Sequence, residues 1–169
     1  MGEPTTWWLE PTVEVRPSAI AGRGLFASRP LPARTVVVRL GGRRVSGAEL
    51  RRLIEESDDY VDSITVSDDE HLVLPQGNLV HFGNHSCDPN LWHDGTFSLA
   101  TRRDVAAGEE LTVDYTTQTA DPEWAMACTC GATLCRGLVT GDDWRRPDLQ
   151  QRYGDHFVAG LLVRIAGQR

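Results

Sequence analysis

Residues 77–90 read Gly77-Asn78-Leu79-Val80-His81-Phe82-Gly83-Asn84-His85-Ser86-Cys87-Asp88-Pro89-Asn90. An apolar lead-in, Leu79-Val80, gives way to a dense run of polar, turn-forming and titratable side chains. That composition suggests a site carried on a strand end and not a plain connecting loop. His81 and His85 are four apart, but Phe82 follows His81 where the helical metalloprotease motif H-E-x-x-H requires glutamate. His85 and Cys87 share a strand face as i and i+2, which leaves a base and nucleophile pair open unless Cys87 is occupied as a metal ligand. A third reading needs the rest of the chain.

Downstream, Cys128, Cys130 and Cys135 crowd into eight residues. With Cys87 they make four thiols, the number one tetrahedral structural zinc site takes. The start of the chain, Met1-Gly2-Glu3-Pro4, lacks the basic and then apolar segments of a signal peptide. The default expectation is therefore a cytoplasmic protein with reduced thiols, in which a disulfide framework is out of place. Reduced or buried thiols without a metal are the plainer alternative. Gly131 inside the C-x-C-x₄-C loop supplies the positive φ that a tight wrap around an ion needs.

Upstream, Gly22-Arg23-Gly24-Leu25-Phe26-Ala27 has the letters of a dinucleotide fingerprint, G-x-G-x-x-A. The context fails it. Pro30 and Pro32 stand where a helix should begin, and no acidic residue lies about 20 positions on. Two glycines around one residue still let backbone approach a ligand closely, and a plain hairpin turn is the other reading.

Strand signals surround these blocks. Residues 12–16 and 96–101 alternate apolar and polar, residues 35–40 are a β-branched run, and further short strands are expected at 60–66, 71–74 and 110–115. Ser46 with Glu49 three residues on predicts a capped helix ending near Asp58, with Leu50, Leu53 and Ile54 on one face. Pro147 opens a second short helix, and Phe157, Val158, Leu161, Leu162 and Ile165 form a helical stripe packed on the core. Residues 1–11, with Trp7 and Trp8, show no period and read as an arm whose tryptophans bury on the domain.

The chain has 169 residues, and its 17 cationic side chains are all arginine, against 24 acidic ones, for a net charge of −7. The length argues for a single folded domain, and the acidic balance argues against a nonspecific binder of nucleic acid, which needs a basic face. No apolar run approaches the roughly 18 residues of a membrane span. A basic protein partner stays open.

Taken together, Gly22 to Ala27, then Gly77-Asn78-Leu79 through Asn84-His85-Ser86-Cys87-Asp88-Pro89-Asn90, then Gly108-Glu109-Glu110-Leu111-Thr112-Val113-Asp114-Tyr115, resemble the SET-domain protein methyltransferases, in that family's own order. The tail Cys128-Thr129-Cys130-Gly131-Ala132-Thr133-Leu134-Cys135-Arg136-Gly137 looks like the post-SET zinc loop, and residues 141–169 resemble C-terminal extensions of bacterial SET proteins. The resemblance implies a mainly β fold of small curled sheets with a knot-like C-terminal threading, and domains at 12–116 (SET), 124–140 (post-SET zinc loop) and 141–169 (helical extension), preceded by the arm. It implies S-adenosylmethionine and a protein lysine entering a narrow channel from opposite faces. Gly22, Arg23, Gly24 and Leu25 would line the cofactor, Arg23 and Gly24 through backbone groups. Asn84 would take its methionine amino group, and the His85 backbone its adenine.

By the same resemblance, Tyr115 is the catalytic tyrosine and also touches the cofactor. Tyr60 is either a second channel tyrosine, a cover over the cofactor, or a core strand residue. Cys87, Cys128, Cys130 and Cys135 hold structural zinc. Val113 departs from the aromatic residue that many members carry two before the tyrosine, His81 stands where arginine is frequent, and Trp92 or His93 would form the opposite channel wall. The expected partner is a basic protein or peptide supplying its lysine in trans, with no direct nucleic-acid or membrane contact, and the chain a monomer or weak homo-oligomer. A catalytically silent SET-like interaction module and a methyltransferase for a non-lysine amine are the alternatives. With no lysine of its own, the chain offers no side-chain automethylation target.

Overall fold

The structure, a computed structural model, describes residues 6–168; Pro4 of the expected arm lies outside the described residues. In chain order the elements are β1 (Trp8–Leu9), β2 (Val13–Pro17), β3 (Arg23–Ala27), β4 (Val36–Arg39), β5 (Arg43–Ser46), α1 (Gly47–Glu56), β6 (Ser63–Ser67), β7 (Glu70–Val73), β8 (Asn84–His85), β9 (Leu91–His93), β10 (Ser98–Thr101), β11 (Glu110–Val113), β12 (Ala125–Ala127), β13 (Leu138–Thr140), α2 (Pro147–Tyr153) and α3 (Ala159–Ala166). The fold is mainly β, and the described strands form small sheets ordered β1-β4-β10-β9, β2-β3-β11-β8, β5-β7-β6 and β12-β13.

One pairing places the site. β11 lies between β3 and β8, antiparallel to the first and parallel to the second, with Thr112 opposite Asn84 and Val113 opposite His85. Asn90 staples the same two segments together, since its amide donates to the Glu110 carbonyl at 2.7 Å and accepts from Thr112 N at 2.9 Å. The quoted stretch and the segment that runs from β11 into Tyr115, 30 residues apart by the His85 contact, are thereby side by side. Leading into β8, residues Leu79–Phe82 form a 3₁₀ turn capped by the Asn78 side chain, where the sequence suggested a strand end.

The core joins Leu25, Val37, Val38 and Leu111 to Tyr153, Phe157, Val158 and Leu161 in one apolar cluster. The expected C-terminal stripe is thus part of the core itself. Burial of five or six such side chains contributes on the order of 10 kcal/mol before chain entropy is set against it. By contrast α1 is a surface cover: Ser46 caps it through Glu49 N at 3.2 Å, but the Glu49 carboxylate pairs with Arg43 and does not close the box. Leu50 and Leu53 are half-buried and Ile54 is 49% exposed. The arm also differs from expectation. Trp8 and Leu9 pair with Arg39 and Val38 of β4, and Trp7 and Trp8 are half-buried. A strand with a free edge recruits backbone donors and acceptors whatever the side-chain period.

Trp92 and His93, one of which the resemblance sets on the channel wall, both contact residues beyond Tyr115. Trp92 lies flat on His156, ring centroids 3.4 Å apart, and so anchors the C-terminal extension. His93 is wholly buried, its Nε2 at 3.2 Å from Gln118 Oε1. Burial holds its pKa down to about 4. The unfolded chain takes up this proton at about pH 6.5, well before the folded one, so the stability that neutral His93 contributes is complete above that pH and is lost as pH falls toward 4. Urea unfolding at pH 7.5 and pH 5 is expected to differ by about 2 kcal/mol on this account alone. A His93→Gln variant that folds should show a correspondingly smaller difference.

Candidate active site and metal centre

Tyr115 begins a 3₁₀ turn, Tyr115–Thr117, capped by the Asp114 carboxylate on Thr116 N at 3.1 Å. Its hydroxyl donates to the Gly83 carbonyl at 2.8 Å and its backbone N–H donates to His85 Nδ1 at 3.2 Å. The ring packs near His85 and Trp124. Burial pushes the phenol pKa well above its ordinary value, with Tyr60 and Asp62 adding to the rise. The hydroxyl therefore keeps its proton at neutral pH. Tyr60 is exposed, at 66%, and not a core strand tyrosine, with its ring 6.1 Å from that of His81. His81 Nδ1 is 2.7 Å from Asp62 Oδ2, which ties the segment before β6 to the turn that carries Gly83.

On the other side of β8, Gly24, Asn84 and Glu110 meet. Asn84 Nδ2 donates to the Ala21, Arg23 and Glu110 oxygens at 3.2, 3.0 and 2.8 Å. A Cβ on residue 24 would sit 2.1 Å from Glu110 Oε1 and 3.2 Å from Asn84 Nδ2, so a side chain here would displace the Glu110 carboxylate. Gly22 and Arg23 are exposed beside it. Leu25 is not: it is 1% exposed, in register between Val15 and Leu111, and belongs to the floor beneath the cradle. Glu110 and Ser18, which complete the cluster, were not singled out from sequence. The doubled glutamate of Gly108-Glu109-Glu110-Leu111 was the available signal.

The four cysteine Sγ atoms all lie within 4.8 Å of one another, and the Cys87 to Cys128 pair is at 3.8 Å. A tetrahedron with metal–sulfur bonds of about 2.3 Å has edges of about 3.8 Å, so the donor set fits a zinc-sized ion. Gly131 has φ of 75°, as the loop requires. Backbone N–H groups point at the sulfurs: Arg136 N at 3.3 Å from Cys87 Sγ, and Cys87 N at 3.5 Å from Cys130 Sγ. Burial opposes ionisation of Cys130, yet the donors from Cys87 and Ala132 and the neighbouring thiols bring it down to about 6.

His85 Nε2 is 3.3 Å from Cys87 Sγ, close enough for a base and nucleophile pair. The tautomer rules that role out. Nδ1 accepts from Tyr115 N, and burial, opposed by Asp114, holds the ring neutral with a pKa of about 4. The single ring proton is then on Nε2, which donates to the sulfur and has no free lone pair to take a proton from it.

Behind these groups is an ionic network that sequence reasoning missed. Asp114, with no exposed surface, receives both terminal nitrogens of Arg136 at 2.7 and 2.8 Å and the Tyr153 hydroxyl at 2.8 Å. Arg136 also donates to Thr116 Oγ1, and its Nε is 3.0 Å from Asp143. Arg152 reaches the Cys87 carbonyl at 3.0 Å. Burial alone would raise the Asp114 pKa, but the Arg136 hydrogen bonds and charge bring it below the usual carboxylate range.

Comparison with known proteins identifies the frame of this site. A SET domain model matches residues 22–116, more than half of the chain, and the protein belongs to the SET domain family. It is 31% identical over 135 residues to the histone-lysine N-methyltransferase, H3 lysine-4 specific, of Eremothecium gossypii, covering 72% of this chain and 14% of that protein. It is 32% identical over 143 residues to human histone-lysine N-methyltransferase SETD2, covering 78% of this chain and 6% of that one, and 31% identical over 148 residues to Xenopus tropicalis SUV39H2, covering 70% and 36%. The chain thus spans only a minor part of these relatives. The methyltransferase domain of human histone-lysine N-methyltransferase SETMAR shares the fold, with a TM-score of 0.64 at 24% identity over 76% of this chain and 58% of that one. Among the described residues no helix is long and apolar enough to cross a membrane.

Proposed function

We propose that this chain is an S-adenosylmethionine-dependent protein-lysine N-methyltransferase stabilised by a four-cysteine zinc site. The observation that carries the reading is the position of Tyr115, anchored to Gly83 and His85, beside the glycine cradle formed by Gly24 and Asn84 within the SET match. The missing side chain at Gly24 lets the Glu110 carboxylate and the Asn84 amide close on this backbone, and the exposed Gly22 and Arg23 beside it, with Asn84 and the His85 backbone, would hold the cofactor. Bound there, S-adenosylmethionine supplies a methyl group on a positively charged sulfur.

The protein's share of the chemistry is alignment and environment. A lysine with pKa of about 10.4 arrives protonated and has to become neutral before it can attack. A channel lined by rings favours the neutral amine. Tyr115, with its proton kept and donated to Gly83, turns oxygen lone pairs toward the reacting centre without the full negative charge that would hold an ammonium in place. Weak C–H to oxygen contacts from such an oxygen orient a methyl group. Tyr60 stands at the rim as the second tyrosine of the channel.

The substrate is read as a basic protein segment. Between Arg52 and Arg102 the sequence holds ten carboxylates and no arginine or lysine, and this stretch includes Tyr60, Asp62 and the turn into β8. The reading further comprises a SET unit at 12–116, a post-SET zinc loop at 124–140 and the extension from 141, in a cytoplasmic monomer or weak homo-oligomer.

Calorimetric titration with S-adenosylmethionine tests the core of this, and no binding at millimolar ligand would sink it. A lysate screen with labelled cofactor should mark lysines in basic proteins; labelling confined to acidic proteins refutes the substrate class. Cys130→Ser is expected to lower bound zinc from one per chain to near zero and to loosen the tail toward proteolysis. Metal analysis that still finds one zinc per chain rejects the four-cysteine site.

A further inference from the structure

We propose that Glu110 is a positioning residue for cofactor binding: it holds the Asn84 amide so that Asn84 Oδ1 faces the α-ammonium at the amino-acid end of the cofactor. This rests on the cofactor reading above and goes beyond it, since it assigns Glu110 a role that acts through Asn84. Three oxygens surround Asn84 Nδ2, from Ala21, Arg23 and Glu110, so the nitrogen end of the amide is settled and both of its hydrogens are committed. Asn84 Oδ1 accepts nothing among the described residues. An outward-facing amide oxygen with its lone pairs free suits an ammonium, which is a donor only.

Glu110 also fixes the opposite wall. The Ser18 hydroxyl lies 2.8 and 2.9 Å from its two carboxylate oxygens, while Ser18 Oγ accepts from Ile20 N at 2.9 Å and Ser18 N donates to the Gly22 carbonyl at 3.0 Å. One carboxylate therefore grips the loop before Gly22 and the amide on β8 at once. The absent side chain of residue 24 leaves the space for it. A merely structural glutamate at a strand start would need no such clearance. Nor would it need to hold the nitrogen end of an amide whose oxygen is left free.

The test uses two probes on the full chain. S-adenosylhomocysteine carries the amino-acid end, whereas 5′-methylthioadenosine has the nucleoside and thioether without it. Glu110→Ala is expected to weaken S-adenosylhomocysteine by about tenfold or more, as loss of a charge-assisted hydrogen bond does, and to leave 5′-methylthioadenosine within about twofold. Glu110→Gln keeps an acceptor oxygen for Asn84 and should stay within about threefold. Asn84→Asp sets two carboxylates against each other and should lose binding, and the pair Asn84→Asp with Glu110→Gln, which restores a donor between the two positions, should recover part of it. Should Glu110→Ala not fold, these last variants decide. Equal weakening of both probes, unchanged S-adenosylhomocysteine affinity in Glu110→Ala, or strictly additive losses in the pair overturn the inference while leaving the function standing. A wild-type chain that binds neither probe overturns both.

Discussion

Tyr115→Phe is expected to cut turnover by about a hundredfold while leaving S-adenosylmethionine affinity within about twofold, because the change removes one oxygen from the reacting centre and nothing from the cradle. The Tyr115 backbone N–H still donates to His85 Nδ1, and the ring still packs between His85 and Trp124. What is lost is the hydroxyl held on the Gly83 carbonyl. A stability loss of about 1 kcal/mol accompanies it, the usual net worth of one hydrogen bond. Single-turnover rates with saturating cofactor, beside a calorimetric affinity, separate the two effects. Near-normal rates would remove Tyr115 from its role. A parallel collapse of cofactor affinity would show that the hydroxyl shapes the cradle and not the transfer step.

Arg136→Leu is expected to be the most destabilising single change, by about 3–5 kcal/mol, because it strands a buried carboxylate. Asp114 has no exposed surface, and only the Tyr153 hydroxyl and Thr116 N would remain to it. Such a loss is a large fraction of the stability of an ordinary domain. The penalty should shrink when Asp114→Asn is added, since a neutral amide replaces the stranded charge, and it should shrink as pH falls toward 4 and the carboxyl takes up a proton. Urea unfolding of the two single variants and the double variant measures this directly. If the single and double variants unfold alike at pH 7, the network is not the tie between zinc loop, Tyr115 turn and C-terminal extension that its geometry describes.

Much of the site was legible because its residues are chemically conspicuous. The Asn84-His85-Ser86-Cys87 run, the paired glycines and the C-x-C-x₄-C loop each announce a backbone or ligand requirement, and the four thiols converge as their count suggested. The helices at 147 and along the Phe157 stripe were legible from a proline at the first turn and a 3.6-residue period. Other features gave no local signal. Trp8 and Leu9 are strand only because β4 has an edge to offer, and Leu50 and Leu53 are only half-buried and Ile54 exposed because α1 covers a small sheet and not the core. Leu25 carries the letters of the cofactor loop, yet strand alternation turns it inward, one residue after Gly24.

What the amino-acid sequence determined by itself is the set of short-range commitments: turns at the glycines, the capped helix at Ser46, four metal-capable thiols, a tyrosine closing a strand, and an acidic chain without lysine. Only the tertiary structure decided which residues act together. The parallel pairing of β8 with β11 sets His85 against Tyr115, Asn84 against Glu110 and, through Arg136, the zinc loop against Asp114. These partners are 20 to 30 residues apart in sequence. Hydrogen bonds and ion pairs act over about 3 Å, and no spacing along a chain reports a distance that only the folding of one strand beside another creates.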